Sequence, residues 1–146
     1  MLYPIYIAIK QQLKTKDTEN KFAGIEWYNV QYDSTIAKTP RIFIEFPEEL
    51  KFDQVAKDQK RAPLKIQLHI VSQAIAGTDG TINDLIVEEH ENVATIVKKA
   101  LKQFIPTSDG TQLTTALQFY SWKHYHKYKG YMITMLVFNC KKHLIE

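Results

Sequence analysis

The sequence predicts an α+β fold in which an antiparallel sheet of four to five strands packs against an N-terminal helix and one long helix on the same face. Two segments carry apolar residues at helical spacing, and several others alternate apolar and polar residues. Such alternation is typical of antiparallel strands with one buried face. The predicted order of elements, α-β-β-(β)-β-α-β-β, therefore favours a sheet covered by helices on one side.

Size and composition are those of one globular domain spanning residues 1–146. Of the 146 residues, 45% are hydrophobic and 24% are charged, which argues against disorder. The single cysteine, Cys140, excludes an intramolecular disulfide. No apolar run reaches the roughly 18 residues needed to span a bilayer. The first residues lack the basic start and cleavage site of a secretory signal, so we expect synthesis in the cytoplasm.

The first helix is predicted from about Tyr3 to Lys14. Its apolar stripe, with residues three or four apart, consists of Leu2, Ile5, Tyr6, Ile9 and Leu13. Pro4 suits the first turn, where a missing N–H group breaks no helical hydrogen bond. Lys10 and Lys14 lie near the negative end of the helix dipole.

Two strands are predicted next. The first spans Ile25 to Tyr32, with Ile25 and Trp27 on one face and Glu26, Tyr28, Val30 and Tyr32 on the other. The second spans Arg41 to Phe46, with Ile42, Ile44 and Phe46 on one face, and Pro47 ends it. The charged stretch from Glu48 to Arg61 is weakly patterned and has room for a short strand or turn around Leu50–Phe52.

The clearest predicted strand follows Pro63 and spans Leu64 to Gln73, with one buried and one solvent-exposed face. A turn at Gly77–Gly80 then leads to a helix from about Asp84 to Phe104. Acidic residues crowd the start of this helix and lysines its end, so both ends complement its dipole.

A closing hairpin is predicted around the turn Lys127–Gly130. Leu113, Thr115, Leu117 and Phe119 alternate in its first strand, and Tyr131, Ile133, Met135 and Val137 in its second. The second strand is apolar on both faces, which indicates a central strand or one covered by another subunit.

Charge and aromatic residues suggest one binding interpretation. The formal charge is +3, and residues 111–145 contain five lysines and no acid. Lys123, Lys127 and Lys129 interleave with aromatic residues, a combination that holds single-stranded nucleic acid. The aromatic residues are Tyr120, Trp122, Tyr125, Tyr128 and Tyr131. A half-buried hairpin with a solvated, lysine-protected edge produces the same pattern, and we favour that interpretation.

The remaining candidate sites point away from catalysis. His124 and His126 share a face if they lie in a strand, and with His69 or His143 they would offer zinc ligands. A wet strand end explains the pair better, so we expect no metal. The adjacent carboxylates Glu48–Glu49 and Glu88–Glu89 do not face each other across a pocket.

Other reactive residue types also lack a recognisable setting. The serines lack a nucleophile-elbow motif, and the loop Gly77–Thr81 lacks the spacing of a phosphate loop. Cys140 is expected to be a buried thiol. We therefore predict that the chain is not an enzyme and binds no cofactor.

The order and spacing of elements resembles that of tail terminator (tail-completion) proteins of long-tailed phages and prophages. The resemblance rests on the N-terminal helix, the run Pro40–Phe46, the long strand Pro63–Gln73, the helix Asp84–Phe104 and the closing strands Leu113–Cys140. It covers nearly the whole chain, but no residue motif is diagnostic.

The resemblance implies a hexameric ring that caps the tail tube and joins it to the head connector, in the host cytoplasm during assembly and then in the virion tail. Partners would be further copies of the chain, tube and connector proteins, and DNA passing through a channel. Candidate interface residues are Trp27, Tyr28, Phe52, Trp122, Tyr128 and Tyr131. Candidate channel-facing residues are Lys123, Lys127 and Lys129. The alternatives are a neck or tube-related protein of the same virion, or a nucleic-acid-binding module using residues 120–131.

Overall fold

The computed structural model describes residues 1–31, 38–57 and 59–145 and has an α+β architecture, as predicted. In chain order the elements are helix α1 (Tyr3–Lys16), strands β1 (Gly24–Trp27), β2 (Arg41–Glu45), β3 (Asp53–Ala56) and β4 (Gln59–Gln73), helix α2 (Asp84–Leu101), and strands β5 (Thr107–Ser108), β6 (Thr111–Gln112), β7 (Gln118–Tyr125) and β8 (Tyr131–Ile145). The main sheet has the order β1-β2-β4-β8-β7, with β3 also paired to β4, and β5–β6 form a separate small hairpin.

The two longest strands, β4 and β8, form the centre of the sheet. They pair antiparallel over 15 residues each, from Gln59 opposite Ile145 to Gln73 opposite Tyr131. β8 therefore has neighbours on both edges and side chains buried on both faces. This confirms the prediction of a central closing strand. The turn that leads into it contains Gly130 at φ 86°, a conformation that glycine adopts without steric cost.

Both helices pack on one face of the sheet, which we call the helix face. The predicted stripe of α1 is confirmed, because Ile5, Tyr6, Ile9 and Leu13 are all buried. α2 begins where the Asn83 side chain accepts a hydrogen bond from the Leu85 N–H at 2.9 Å. It ends at Leu101, earlier than the predicted Phe104, because the backbone is extended at Lys102 and left-handed at Gln103.

The main core lies between the helices and the helix face. Its fully buried members include Ile9, Leu13, Ile42, Ile44, Ile66, Leu68, Ile70, Val93, Val97, Leu101, Leu136 and Phe138. They come from alternating positions of β2 and β4, from one side of each helix, and, for Leu136 and Phe138, from β8.

A second, smaller apolar cluster lies on the other side of the sheet, which we call the opposite face. Phe43, Val71 and Ile133 are buried there, from three adjacent strands. Around them pack Tyr28, Tyr125, Tyr128, Tyr131 and Met135. The prediction that β4 has one wet face is therefore wrong near its end, where His69 is 2% exposed. Bulky side chains from neighbouring strands cover that part of the face.

Five predictions about the strands are corrected. β4 begins at Gln59, so Pro63 lies inside the strand. Pro63 falls between the residues of β4 that pair with β3 and those that pair with β2, and among the described residues no strand pairs with that edge of β4 there. A proline, which has no N–H group to donate, is tolerated at such a position. The short strand predicted around Leu50–Phe52 lies slightly later, as β3. β1 and β2 are parallel rather than antiparallel.

The other two corrections concern strand ends. β1 stops at Trp27, before the left-handed Val30, and Tyr32 lies outside the described residues. Residues 113–117 alternate like a strand, yet they form only an isolated bridge from Thr114 to Lys142. β7 begins after them, at Gln118.

The second cluster leads to a stability prediction. Phe43→Ala removes a fully buried ring, so we expect the free energy of unfolding to fall by about 3–5 kcal/mol. Tyr120→Ala, at a 67% exposed position, serves as the control and is expected to change it by less than about 0.5 kcal/mol. Urea denaturation of both variants is the measurement. Equal, small effects would show that the opposite face is not packed in the isolated chain.

Candidate interaction surfaces

Within the described residues, the main sheet ends in two unlike strands, β1 at one edge and β7 at the other. Trp27, the last residue of β1, lies on the same face as buried Ile25 and is 42% exposed. Its ring lies 5.5 Å from that of Tyr6 in α1 and 5.3 Å from that of Phe46. Trp27 is thus held in place on one side and presents an apolar surface on the other.

The β7 edge is longer and more irregular. Its pairing with β8 shifts register between Phe119 and Ser121, and Tyr120 at that point is 67% exposed. Trp122 is half-buried and packs against the main core. Open strand edges present unpaired backbone N–H and C=O groups to another chain. Within the described residues, β1 and β7 are therefore two different edges of the main sheet, each paired to one neighbouring strand.

The other predicted interface residues are less exposed than Trp27. Tyr28, Tyr128 and Tyr131 are half-buried against the second cluster. The ring of Tyr28 stacks on that of His69, with centroids 4.1 Å apart and an interplanar angle of 13°. Phe52 is half-buried just before β3. Of the six predicted interface residues, Trp27 is the most exposed.

The predicted channel-facing lysines, Lys123, Lys127 and Lys129, are all exposed. Lys123 lies in β7, and the other two lie in the turn before β8, where the Lys127 ammonium is 5.5 Å from the ring of Tyr128. The interleaved aromatic residues do not form one platform. Trp122 packs toward the helices, whereas Tyr125, Tyr128 and Tyr131 pack on the opposite face.

The histidines named as possible metal ligands are not brought together. His124 and His126 have ring centroids 6.3 Å apart, and His124 Nε2 lies 3.2 Å from Glu91. His69 is on the opposite face, with its Nε2 2.6 Å from Glu45 Oε1. His143 lies far along β8, opposite Arg61. In the part of the chain that the structure describes, no three His, Cys, Asp or Glu side chains are grouped to hold a metal.

A buried polar chain links α2 to the sheet and was not predicted. His90 is 1% exposed and hydrogen-bonds through Nδ1 to the Ser72 hydroxyl at 2.7 Å and through Nε2 to the Thr134 hydroxyl at 2.8 Å. Burial, with a smaller contribution from nearby His124, lowers the pKa of His90 to about 4. The signal was present in the sequence, since His90 lies three residues before Val93 on the apolar stripe of α2.

The acidic and thiol side chains have ordinary structural environments. Glu48 pairs with Lys65 at 2.8 Å, and Glu89 pairs with Lys21 at 2.9 Å. Cys140 is buried, as predicted, and burial raises the pKa of its thiol to about 11. Neither helix in the described ranges is both long and apolar enough to cross a membrane.

Comparison with known proteins yields a fold but no family. No protein-family model matches the chain, and no curated protein matches its sequence. Nineteen chains of solved structures match. One of them belongs to the virion of a native gene transfer agent particle. It matches with a TM-score of 0.65 and 16% identity, over 96% of this chain and 95% of that chain. The likeness shows that the two chains share their fold over nearly their full lengths.

The buried histidine makes the stability of the chain depend on pH. The pKa of unfolded His90 is near 6.5, whereas the pKa in the folded state is about 4. Between these values the unfolded state binds more protons, so stability falls as the pH drops from about 6.5 to 4. The expected loss from this residue is up to about 3 kcal/mol.

The measurement is chemical denaturation of the native chain and of His90→Gln at a series of pH values. We expect the variant to lose less unfolding free energy between pH 6.5 and about 4 than the native chain. His69 and His143 are present in both proteins and contribute equally to the pH dependence of both. Identical pH profiles would contradict the assignment.

Proposed function

We propose that the chain is a non-enzymatic assembly protein of a phage or prophage virion, and that it acts as a tail terminator. One observation carries the proposal: the fold of the whole chain matches that of a chain from a virion particle, with 96% and 95% of the two chains covered. The order of elements and the resemblance to tail terminators support the same role. Copies of the chain would form a ring that caps the tail tube and joins it to the head connector.

The two sheet edges support a ring of identical subunits. A closed ring needs two different, complementary patches on each subunit, which meet head to tail. We propose that β1, with exposed Trp27, and β7, with exposed Tyr120, supply these two patches from opposite ends of the sheet. Aromatic side chains are enriched at the energetic centres of interfaces. In this proposal the edge of β1 on one subunit meets the edge of β7 on the next.

The nucleic-acid-binding alternative based on residues 120–131 has less support. A stacking surface for bases requires several aromatic rings exposed side by side. Here Tyr125, Tyr128 and Tyr131 are partly buried in the second cluster, and Trp122 packs toward the main core. Tyr120 is the strongly exposed aromatic residue of the segment. This distribution favours contacts with protein at the β7 edge.

The proposed role can be tested by polymerising the tail tube protein of the same virus with and without gold-labelled chain. A terminator is expected to shorten the tubes and to place label at one tube end, as a ring in electron micrographs. Label along the tubes would instead indicate a tube-related protein, and binding to the head connector alone would indicate a neck protein. Either result, or no binding to any of them, would contradict the terminator role.

The edge contact predicts the effect of one substitution. Tyr120→Asp places a charge at the β7 edge, so we expect subunit association to weaken at least tenfold, or about 1.4 kcal/mol. Ile75→Asp is the control, because Ile75 is also exposed, at 72%, but lies in the loop before α2. Mass photometry in the presence of tube protein measures ring formation. Normal rings with Tyr120→Asp, or equal loss with Ile75→Asp, would contradict the proposed edge contact.

A further inference from the structure

The positive charge of the chain is concentrated at one end of the long strands. Segments 51–65 and 139–146 contain seven basic and three acidic residues, whereas the rest of the chain contains twelve basic and thirteen acidic residues. These two segments are far apart in sequence. The pairing of β3 with β4 and of β4 with β8 brings them together.

We call this region the basic arm and define it as β3, the turn residue Lys57, residues 59–62 of β4 and residues 141–145 of β8. It extends beyond β2, whose pairing with β4 reaches only to Gln67. β3 is exposed at every residue. The arm is thus a three-stranded ribbon whose first strand faces outward.

Three cationic or titratable side chains of the arm share the opposite face. Arg61 of β4 is directly opposite His143 of β8. Lys141 is two residues before His143 in β8 and is opposite Pro63. Same-face neighbours are separated by about 5 Å across the strands and about 6.6 Å along them. Arg61 and Lys141 are exposed. Asp53 is opposite Arg61 on β3, and among the described residues no carboxylate forms an ion pair with Arg61 or Lys141.

The surroundings of His143 and Lys142 indicate a positive potential at the arm. Burial lowers the pKa of His143, and the charges of Arg61 and Lys142 lower it further. Lys142, on the helix face, is 6% exposed, and its ammonium donates a hydrogen bond to the His143 carbonyl at 3.1 Å.

The chemistry of the arm fits a phosphate backbone better than a protein surface. Protein interfaces bury apolar groups at their centre and are depleted in lysine. The arm exposes one large apolar side chain, that of Val55, within its described residues. Lysine and arginine bind phosphates without being buried, and they do so independently of sequence. An arm without exposed aromatic rings also suits a duplex better than a single strand.

We propose that the basic arm binds the phosphate backbone of double-stranded DNA through Lys57, Arg61 and Lys141. The biological role of this contact rests on the proposed virion function, since a tail-end ring would meet the packaged DNA. The assignment differs from the one based on sequence, which placed the DNA-facing lysines at 123, 127 and 129. The two sets contain three basic residues each, which gives a matched comparison.

The test measures binding of the full chain to a fluorescent duplex of about 30 base pairs between about 50 and 200 mM salt. The arm variant carries Lys57→Glu, Arg61→Glu and Lys141→Glu. The hairpin variant carries Lys123→Glu, Lys127→Glu and Lys129→Glu, with the same change in net charge. Three phosphate contacts predict a slope of about −3 in the plot of log affinity against log salt.

The arm variant is expected to bind at least tenfold more weakly at the lowest salt, and with a flatter slope, whereas the hairpin variant stays within about threefold of the native chain. If the glutamate variant folds poorly, a variant with glutamine at the same three positions replaces it. This variant removes the positive charges without reversing them and is also expected to bind the duplex more weakly. Equal loss in both sets, a larger loss in the hairpin variant, or no binding by the native chain would overturn the proposal.

Two further measurements distinguish DNA binding from binding of an acidic protein, and DNA binding from the terminator role. Polyglutamate of matched charge is expected to compete poorly with the duplex, and equal competition would show an acidic-protein site and overturn the assignment. Tube capping is measured on the same variants. The arm variant is expected to cap tubes normally, so loss of DNA binding and failure of the terminator role are distinguishable.

Discussion

The pairing of β4 with β8 is the constraint on which the rest of the structure depends. This ladder joins residues 59–73 to residues 131–145, and it is apolar on the helix face at its centre and on the opposite face near its Gln73–Tyr131 end. On the helix face it supports Ile66, Leu68, Leu136 and Phe138 beneath α1 and α2. On the opposite face Val71 and Ile133 support the second cluster. The sheet is thus covered by the helices on one face and, near one end of the ladder, by the second cluster on the other. Its edges and its other end stay open, where contact with other molecules does not disturb the core.

This arrangement also explains why the polar residues within the sheet have structural partners. His90, Ser72 and Thr134 satisfy one another where α2 crosses the ladder. Such a buried network fixes the position of the helix on the strands, because a displaced helix would leave several polar atoms without hydrogen bonds. The proposed interaction surfaces are the two sheet edges and the basic arm, and all three are attached to the same ladder.

The sequence predicted the parts of the fold that local patterns determine. The stripe of α1 and the alternation from Leu64 to Ile70 both depend on neighbouring residues, and the structure confirms both. The start of β4 was missed, because residues 59–62 are mostly polar and become a strand through pairing with β8. The parallel pairing of β1 with β2 was missed for a similar reason, since no local pattern encodes it.

The surfaces were harder to predict than the fold. The exposure of Lys127 and Lys129 follows from the hairpin turn, but the half-burial of Tyr28 and Tyr131 depends on the second cluster. Three adjacent strands build that cluster together. The basic arm joins Arg61 to Lys141 and His143 across about half the chain, so composition alone gave only an excess of lysine near the end.

Hydrogen exchange of the chain, free and bound to tail tubes, tests the central claim most directly. We expect the middle of β4 and β8 to exchange slowest in both states, and β1 and β7 to gain protection on binding. New protection confined to the centre of the ladder, or none at either sheet edge, would contradict it.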